Sequence, residues 1–195
     1  TLSQAEPGAV VSQPTAAGRQ HAALTPPTRF AEVRFSTYRP QNDMQAEALR
    51  EAERLAGQIR ERYTAPWWKR VFGNGDDGLR GGLYLVGPVG TGKTHLLACF
   101  YHALHPDVPC AFTHSSELFR ARQRPEDYAR SLAREARVLL IDEVELDDPA
   151  AEVRRIHVLK TLRDLGVTVA ATSNAEPEKF VSAQFGRDRL ERFIS

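Results

Sequence analysis

Residues 87–94 read Gly-Pro-Val-Gly-Thr-Gly-Lys-Thr, which matches the phosphate-loop pattern G-x-x-x-x-G-K-[ST]. Glycines in such a loop let successive backbone N–H groups turn inward toward a β-phosphate. Lys93 would contact the β- and γ-phosphate oxygens as a mobile charge, and the Thr94 hydroxyl would be a ligand of Mg²⁺. We therefore expect a loop that binds a nucleoside triphosphate. Its predicted contact residues are Gly87, Pro88, Val89, Gly90, Thr91, Gly92, Lys93, Thr94 and His95.

A second, acidic motif follows the apolar run at 138–141. Such a run predicts a strand that is buried on both faces, with Asp142 and Glu143 at its carboxyl end. Asp142 would hold Mg²⁺, and Glu143 would align and activate the attacking water. A solvated acidic strand end is the plain alternative, but the apolar strand and the preceding phosphate loop favour the catalytic interpretation. The guanine-reading motif N-K-x-D is absent from the sequence, which favours ATP over GTP.

Two further residues are candidates for the catalytic machinery. Asn174 follows the apolar run at 167–172, where a polar side chain can contact the γ-phosphate or the water as a sensor 1 residue. It could instead cap a helix before Glu176. Residues 185–194 predict a helix that carries Arg192. Arg192 is either an arginine finger that reaches the ATP of a neighbouring subunit, or part of a solvated basic face.

These residues need elements that bring them to one edge of a sheet. Helical patterns near 94–104, 115–122, 126–135 and 150–165 alternate with strand patterns at 83–86, 110–113, 138–141 and 167–172. Such alternation predicts an α/β fold with a parallel sheet and helices on both faces. A further helix is expected at 42–63. Its apolar face would hold Leu49, Ala52, Leu55, Ala56 and Ile59. His114, just before a predicted helix, is interpreted as a turn residue.

Three regions are expected along the chain. Residues 1–28 are rich in Ala and Pro and predict a flexible tail. Residues 29–81 form a lead-in that contains the first helix and a linker, and residues 82–195 form the nucleotide-binding core. The sequence starts at Thr1 and stops inside the last expected helix, so we expect the natural protein to continue past Ser195.

Composition limits the classes of protein to which the chain can belong. The chain has 195 residues, 42% of them apolar, which suits one α/β domain with extra segments. A net charge of +1 gives no global field toward nucleic acid or membranes, and no apolar run reaches the length of a membrane span. We interpret Cys99 and Cys110 as small buried hydrophobic residues in a reducing compartment. A cytoplasmic protein is expected.

The order of the three motifs resembles that of AAA+ ATPases, which are P-loop NTPases. The strings GLYLVGPVGTGKTHLL, LLIDEVELDDPA and LGVTVAATSNAEPEKF resemble the ZapE family of bacterial cell-division ATPases, which has lactation-elevated-type relatives in mitochondria. RFAEVRFSTYRPQNDMQAEAL is similar to the segment before the family's phosphate loop, so the resemblance covers roughly residues 29–194.

The resemblance carries several expectations. It implies ATP and Mg²⁺ as cofactors, hydrolysis of ATP, and a ring-shaped homo-oligomer. Arg192 matches the family's finger position best, and the helical lid with its sensor 2 arginine would lie beyond Ser195. The partners it implies are proteins of the division machinery, including the tubulin-like ring polymer.

A helicase or transposase loader of the DnaC or IstB type is the alternative. Such loaders share the domain and carry a Y-x-x-x-x-x-x-Q-like lead-in, which is present here between Tyr38 and Gln45. ATP would then act as a timer for placing a partner on single-stranded DNA. Near-neutral charge argues mildly against a nucleic-acid partner, because affinity for DNA depends on phosphate neutralisation. Tyr38 and Arg39 could also close over the adenine, although simple packing of this segment is favoured.

Overall fold

The architecture is a five-stranded parallel sheet covered by helices on both faces. The computed structural model describes residues 24–65, 82–120, 124–144, 149–174 and 190–194. Its strands are β1 (Gly82–Val86), β2 (Cys110–His114), β3 (Val138–Asp142), β4 (Thr168–Ser173) and β5 (Leu190–Ile194). Their order across the sheet is β2-β3-β4-β1-β5. The four predicted strands and their parallel arrangement are confirmed.

Helices connect the strands and precede them. They are α1 (Asp43–Thr64), α2 (Lys93–Leu104), α3 (Ser115–Arg120), α4 (Pro125–Glu135) and α5 (Pro149–Asp164), with 3₁₀ turns at Thr28–Phe30 and Phe35–Thr37. All five helices lie where the sequence pattern predicts them. None of the helices in the described ranges is long and apolar enough to cross a membrane.

The sheet buries its two faces in two separate hydrophobic clusters. Leu83 and Leu85 of β1 lie in the cluster formed with α1 and α2. Tyr84 and Val86 point to the opposite side, into the cluster formed with α4 and α5. Successive residues of a strand point to opposite faces, so a strand covered on both sides must be apolar throughout. All five residues of β3 are buried. This confirms the predicted burial of residues 138–141 and adds that of Asp142.

The lead-in segment packs on the same core as the phosphate-loop helix. Asn42 caps α1, accepting a hydrogen bond from the Gln45 N–H at 2.9 Å. The buried face of α1 consists of Ala48, Ala52, Leu55, Ala56 and Ile59, while Leu49 is partly buried beside it. Tyr38 is also buried in this cluster, as the packing interpretation predicts.

Leu24, the first described residue, contacts both the sheet and the helices that cover it. Its carbonyl accepts a hydrogen bond from the Phe112 N–H at 2.8 Å, and its side chain packs against the α4/α5 cluster. Residues 1–23 and residues 66–81 of the linker lie outside the described residues. The division into 1–28, 29–81 and 82–195 stays a prediction.

The close approach of β1 to β4 requires a glycine. A Cβ atom added to Gly82 would lie 2.2 Å from the Val169 carbonyl oxygen, well inside van der Waals contact. A side chain at this position would push β1 away from β4. Since β1 carries the phosphate loop, this approach sets the position of the loop against the end of β4.

The predicted helix at 185–194 is wrong for its last five residues. Leu190–Ile194 form β5, which pairs with β1 so that the Cα atom of Arg192 lies opposite that of Tyr84. Charge spacing suggested a helix, but β1 has backbone groups on its free edge that a parallel strand satisfies. Aromatic and β-branched residues such as Phe193 and Ile194 favour that strand. Residues 185–189 lie outside the described part of the chain.

Both cysteines are free thiols. Cys99 is fully buried in α2, and Cys110 is partly buried at the start of β2. Burial raises the pKa of Cys99 to about 11 and that of Cys110 to about 12, so both stay neutral near pH 7. The predicted role of small hydrophobic residues agrees with this environment.

Candidate nucleotide-binding and hydrolysis site

The phosphate loop connects β1 to α2, which is the strand-loop-helix context that the motif requires. Gly90 and Gly92 have φ angles of 89° and 85°, in the left-handed region that glycine adopts without strain. The Thr91 hydroxyl donates a hydrogen bond to the Pro88 carbonyl at 3.0 Å. A Cβ atom on Gly92 would also lie 3.2 Å from the Tyr38 hydroxyl oxygen, so the lead-in touches the loop closely.

Lys93 is the first residue of α2, and its side chain folds back over the loop. Its ammonium group donates hydrogen bonds to the carbonyls of Gly87 and Pro88, both at 2.7 Å. Burial lowers the pKa of Lys93, while attraction to the carboxylates of Asp142 and Glu143 opposes that shift. The cation is therefore bound to the loop carbonyls and attracted by the acidic motif, so phosphate oxygens could replace the carbonyls as its partners.

Thr94 and Asp142, the predicted metal ligands, are in direct contact. The Thr94 hydroxyl donates to Asp142 Oδ1 at 3.0 Å, and the Thr172 hydroxyl donates to the same oxygen at 2.7 Å. Asp142 is only 6% exposed. A hydroxyl and a carboxylate oxygen are the hard ligands that Mg²⁺ prefers, so this pair fits the ion.

Glu143 has an unusual backbone conformation. Its φ angle is 55°, a left-handed value that costs a non-glycine residue about 1 kcal/mol. Hydrogen bonds hold it on both sides: its N–H donates to the Thr172 hydroxyl at 2.9 Å, and its carbonyl accepts from the Ser115 hydroxyl at 2.5 Å. The turn sends successive side chains in different directions: Asp142 is buried, whereas the Glu143 side chain is 50% exposed.

The end of β4 links the loop to the acidic motif. The Gly87 N–H donates to the Ser173 carbonyl at 3.3 Å, and the Val144 N–H donates to the Thr172 carbonyl at 2.8 Å. Asn174 follows directly and is exposed at this junction. Its position is compatible with the sensor role, which stays a prediction.

Two further predicted site residues, His95 and Arg192, lie in α2 and β5. The ring of His95 packs against Phe30 and Tyr38, with centroids 6.0 and 5.2 Å away. The backbone of Arg192 lies in β5, where its Cα atom is opposite that of Tyr84. Nucleotide contact by His95 and a finger role for Arg192 stay predictions.

Sequence reasoning missed the residues that support the acidic motif. His114 is the last residue of β2 and contacts Glu143, so its interpretation as a turn residue is wrong. Ser115, Thr172 and Ser173 also contact residues 142–144. One partial signal was available: parallel strands end at the same edge of the sheet, so polar residues at the ends of β2 and β4 are expected at the same edge as those at the end of β3. Which of these strands are neighbours follows only from the strand order.

The chain is similar to known proteins in sequence and in fold. The AFG1-like ATPase family matches residues 14–195 of the chain. A Schizosaccharomyces pombe protein that is itself uncharacterized is 30% identical over 116 residues. That match covers 51% of this chain and 26% of the relative, so the chain spans about a quarter of the relative's length.

Solved structures show the same fold. DnaI superposes with a TM-score of 0.59 at 21% identity, covering 83% of this chain and 82% of that one. AMPPCP-bound DnaA from Aquifex aeolicus gives 0.56 at 15% identity, covering 80% and 46% of the two chains. The DnaC helicase loader gives 0.53 at 19% identity, covering 77% and 81%.

At these identities the structural likeness shows the fold alone, which is that of a parallel-sheet P-loop NTPase. The family match covers most of the chain, including the phosphate loop and the acidic motif described above. This chain belongs to the AFG1-like ATPase family.

Proposed function

We propose that this chain binds ATP with Mg²⁺ and hydrolyses it to ADP and phosphate. The observation that carries the proposal is the hydrogen bond from the Thr94 hydroxyl to Asp142 Oδ1, 3.0 Å long, between residues 48 positions apart. It joins the phosphate loop to the acidic motif at one edge of the sheet. Family membership supports the same activity.

Each side chain has a distinct task in this proposal. Lys93 would leave its loop carbonyls to hold β- and γ-phosphate oxygens, and Thr94 and Asp142 would hold Mg²⁺. The ion would neutralise phosphate charge. Glu143 would take the proton of the attacking water, and Asn174 would orient that water or the γ-phosphate. Arg192 would supply positive charge to the site of a neighbouring subunit.

The proposed biological role is that of a ZapE-type remodeller. In this role the chain works as a homo-oligomeric ring and acts on protein partners of bacterial cell division. The resemblance of the three quoted strings supports this role, and the family match supports the ATPase activity on which it depends. If Arg192 of one subunit completes the site of its neighbour, ATP is hydrolysed only where two subunits are in contact. Each turnover would then strain that subunit interface.

A loader of the DnaC or DnaI kind is the second candidate. Two lead-in residues favour it, because both lie close to the phosphate loop. Gln45 Nε2 donates to the Thr91 carbonyl at 3.3 Å, and the Tyr38 hydroxyl oxygen lies 3.2 Å from the position that a Cβ atom on Gly92 would take. In this reading ATP binding at the loop would be sensed by the lead-in, with single-stranded DNA as the further ligand.

The primary test measures ATP binding by calorimetry and phosphate release with Mg-ATP. Lys93→Ala should weaken ATP binding by about a hundredfold, because a charged contact to phosphate is lost in a partly buried site. Lys160→Ala, an exposed lysine on α5, is the matched control. Unchanged affinity in Lys93→Ala would refute the assignment of the site.

A second experiment separates the two biological candidates. Single-stranded DNA should leave the ATP turnover of a protein remodeller unchanged, whereas it should stimulate the turnover of a loader with a steep dependence on salt.

A third experiment tests the ring hypothesis, in which specific activity rises with protein concentration. Arg192→Ala should then bind ATP but hydrolyse it slowly, and Glu143→Gln subunits with an intact Arg192 should partly rescue it. Activity independent of concentration, with no rescue on mixing, would favour the loader.

A further inference from the structure

The strand β2 lies at one edge of the described sheet, where it pairs with β3. The Val138 N–H of β3 donates to the Pro109 carbonyl, just before β2, at 3.2 Å. Backbone groups alternate in direction along a strand, so Ala111 also faces β3. Cys110 and Phe112, at the alternate positions, point their N–H and C=O groups away from the sheet. Such an edge is a template for pairing with another stretch of backbone.

The chain's own N-terminal part already contacts this edge. The Phe112 N–H donates to the Leu24 carbonyl at 2.8 Å. The Leu24 side chain packs against the cluster formed with α4 and α5, to which Ala111 also belongs. Leu24 therefore shows what fits here: a backbone carbonyl beside Phe112 and an apolar side chain over that cluster. Recognition of extended peptides at sheet edges combines these two features, main-chain hydrogen bonds and a side-chain pocket.

The residues after Leu24 cannot extend this pairing. Pro26 and Pro27 follow it, and proline has no N–H to donate to a ladder. The chain instead crosses to the opposite face of the sheet. There the Phe30 carbonyl accepts a hydrogen bond from His102 Nε2 of α2, which is 2.8 Å away. The segment thus passes over the edge and makes one backbone contact with it among the described residues.

The edge is therefore only partly satisfied. Among the residues that the structure describes, the outward carbonyls of Cys110 and Phe112 have no hydrogen-bond partner. Leu24 is partly exposed, so a small apolar contact and one hydrogen bond hold it in place. An extended segment that has N–H groups where this chain has prolines could bond to these carbonyls as well. It would pair with the edge more completely than the chain itself does.

We propose that the free edge of β2 binds an extended segment of a protein partner as an added strand, and that Leu24 occupies this place until the partner displaces it. The partner segment carries an apolar side chain at the position of Leu24 and residues other than proline at the positions of Pro26 and Pro27. Main-chain groups recognise it, so the ligand is a polypeptide. This recognition goes beyond the proposed ATPase activity and does not depend on it.

The test measures binding of a fluorescent peptide by anisotropy, without nucleotide. The probe is Gln-His-Ala-Ala-Leu-Thr-Val-Thr-Val, which copies residues 20–25 and has no proline after them. The full chain with Leu24→Ser should bind it about tenfold more tightly than the unaltered chain, because the competing leucine is lost. Leu24→Ala should give a smaller gain. Leu165→Ser, which alters a leucine that is 46% exposed just after α5, is the matched control and should give none.

A second peptide tests the backbone pairing. It has Pro-Pro in place of the first Val-Thr and should bind Leu24→Ser at least about threefold more weakly, because an N–H donor is lost. Hydrogen exchange locates the site: the first peptide should slow exchange of residues 110–114. Equal affinity for the two peptides, equal affinity in all protein variants, or protection elsewhere but not at 110–114 would overturn the proposal.

Other occupants of the edge give different results. If Leu24→Ser self-associates without peptide and protects residues 110–114 as its concentration rises, the edge belongs to a second copy of the chain. If exchange at 110–114 stays slow in monomeric Leu24→Ser, the chain's own residues still cover the edge. Either result overturns the assignment to a protein partner. Peptide binding as expected in a chain that does not hydrolyse ATP would refute the proposed function alone.

Discussion

The two halves of the site are held in different ways. Within the phosphate loop, three side-chain hydrogen bonds join residues three to six positions apart: Thr91 to Pro88, and Lys93 to Gly87 and Pro88. Two longer-range side-chain bonds connect this region to Gln45 and Asp142. The side-chain bonds at the acidic end of β3 join residues 28 to 30 positions apart, to the ends of β2 and β4. The loop is thus held mainly by bonds within its own segment, whereas the bonds at the acidic end come from other strands.

This difference suggests that ATP binding and ATP hydrolysis depend on different parts of the fold. Groups that bind phosphate depend mainly on their own short segment, so ATP binding should withstand changes elsewhere in the sheet. Groups that activate water depend on three strands ending in register, so hydrolysis should be sensitive to each of them. Turnover would then respond to movements between strands more readily than affinity does.

The largest expected effect is loss of the carboxylate of Glu143. Glu143→Gln keeps the size of the side chain and a hydrogen-bonding end but removes the general base. Hydrolysis should fall by roughly two to four orders of magnitude, while ATP affinity stays similar. Phosphate release and calorimetric titration measure the two quantities. Intact turnover with normal binding would show that Glu143 is not the base.

The second-largest expected effect tests the hydrogen bonds that join the end of β4 to the acidic end of β3. Thr172→Val keeps the shape but removes a hydroxyl that donates to Asp142 Oδ1 and accepts from the Glu143 N–H. Buried polar groups left without this partner should lower the free energy of unfolding by about 2 kcal/mol. Hydrolysis should fall about tenfold, with ATP affinity nearly unchanged.

The matched control is Thr161→Val on α5. Its hydroxyl also donates a hydrogen bond, but to the His157 carbonyl within the same helix, at an exposed site. This change should alter neither turnover nor stability by more than about 0.5 kcal/mol. Denaturant unfolding and phosphate release compare the pair. Equal effects in the two variants would contradict the special role of Thr172.

The same contrast explains what could be predicted from the sequence. The strands, helices and phosphate loop follow from hydrophobic periodicity and a local motif, so β1 and α2 were predicted within a residue. Asp142 and Glu143 were found as residue types, but the contacts from His114 and Thr172 require strand order and register. A sequence pattern does not contain these. The error at β5 has the same origin, because its pairing with β1 is also long-range.

The third effect lies in the loop itself. Gly92→Ala forces a side chain onto a φ angle of 85° and toward the Tyr38 hydroxyl, which should cost about 1–2 kcal/mol of unfolding free energy. ATP affinity should fall with it, because the backbone N–H groups would turn away. Gly57→Ala is the matched control: it lies in the exposed middle of α1 with nothing within 4 Å. It should stabilise the protein by about 0.5–1 kcal/mol.

The smallest effect concerns a long-range contact of the loop. Gln45 Nε2 donates to the Thr91 carbonyl at 3.3 Å, and Gln45 Oε1 accepts from the Gln41 N–H at 2.7 Å. Gln45→Ala should cost about 1 kcal/mol of stability at most, mainly through the start of α1. If the loop is local, ATP affinity should change less than about threefold, because a long, neutral hydrogen bond contributes little.

Gln58→Ala is the control for this change, since Gln58 lies exposed on α1 and bonds only to Arg54 among the described residues. Calorimetric titration of both variants with Mg-ATP measures the difference. A loss of affinity of tenfold or more in Gln45→Ala alone would show that the lead-in shapes the loop. The contrast between a local loop and an assembled acidic end would then fail. That result would also favour the loader function, because in that candidate the Tyr38–Gln45 segment changes conformation with the bound nucleotide and transmits the change to a partner.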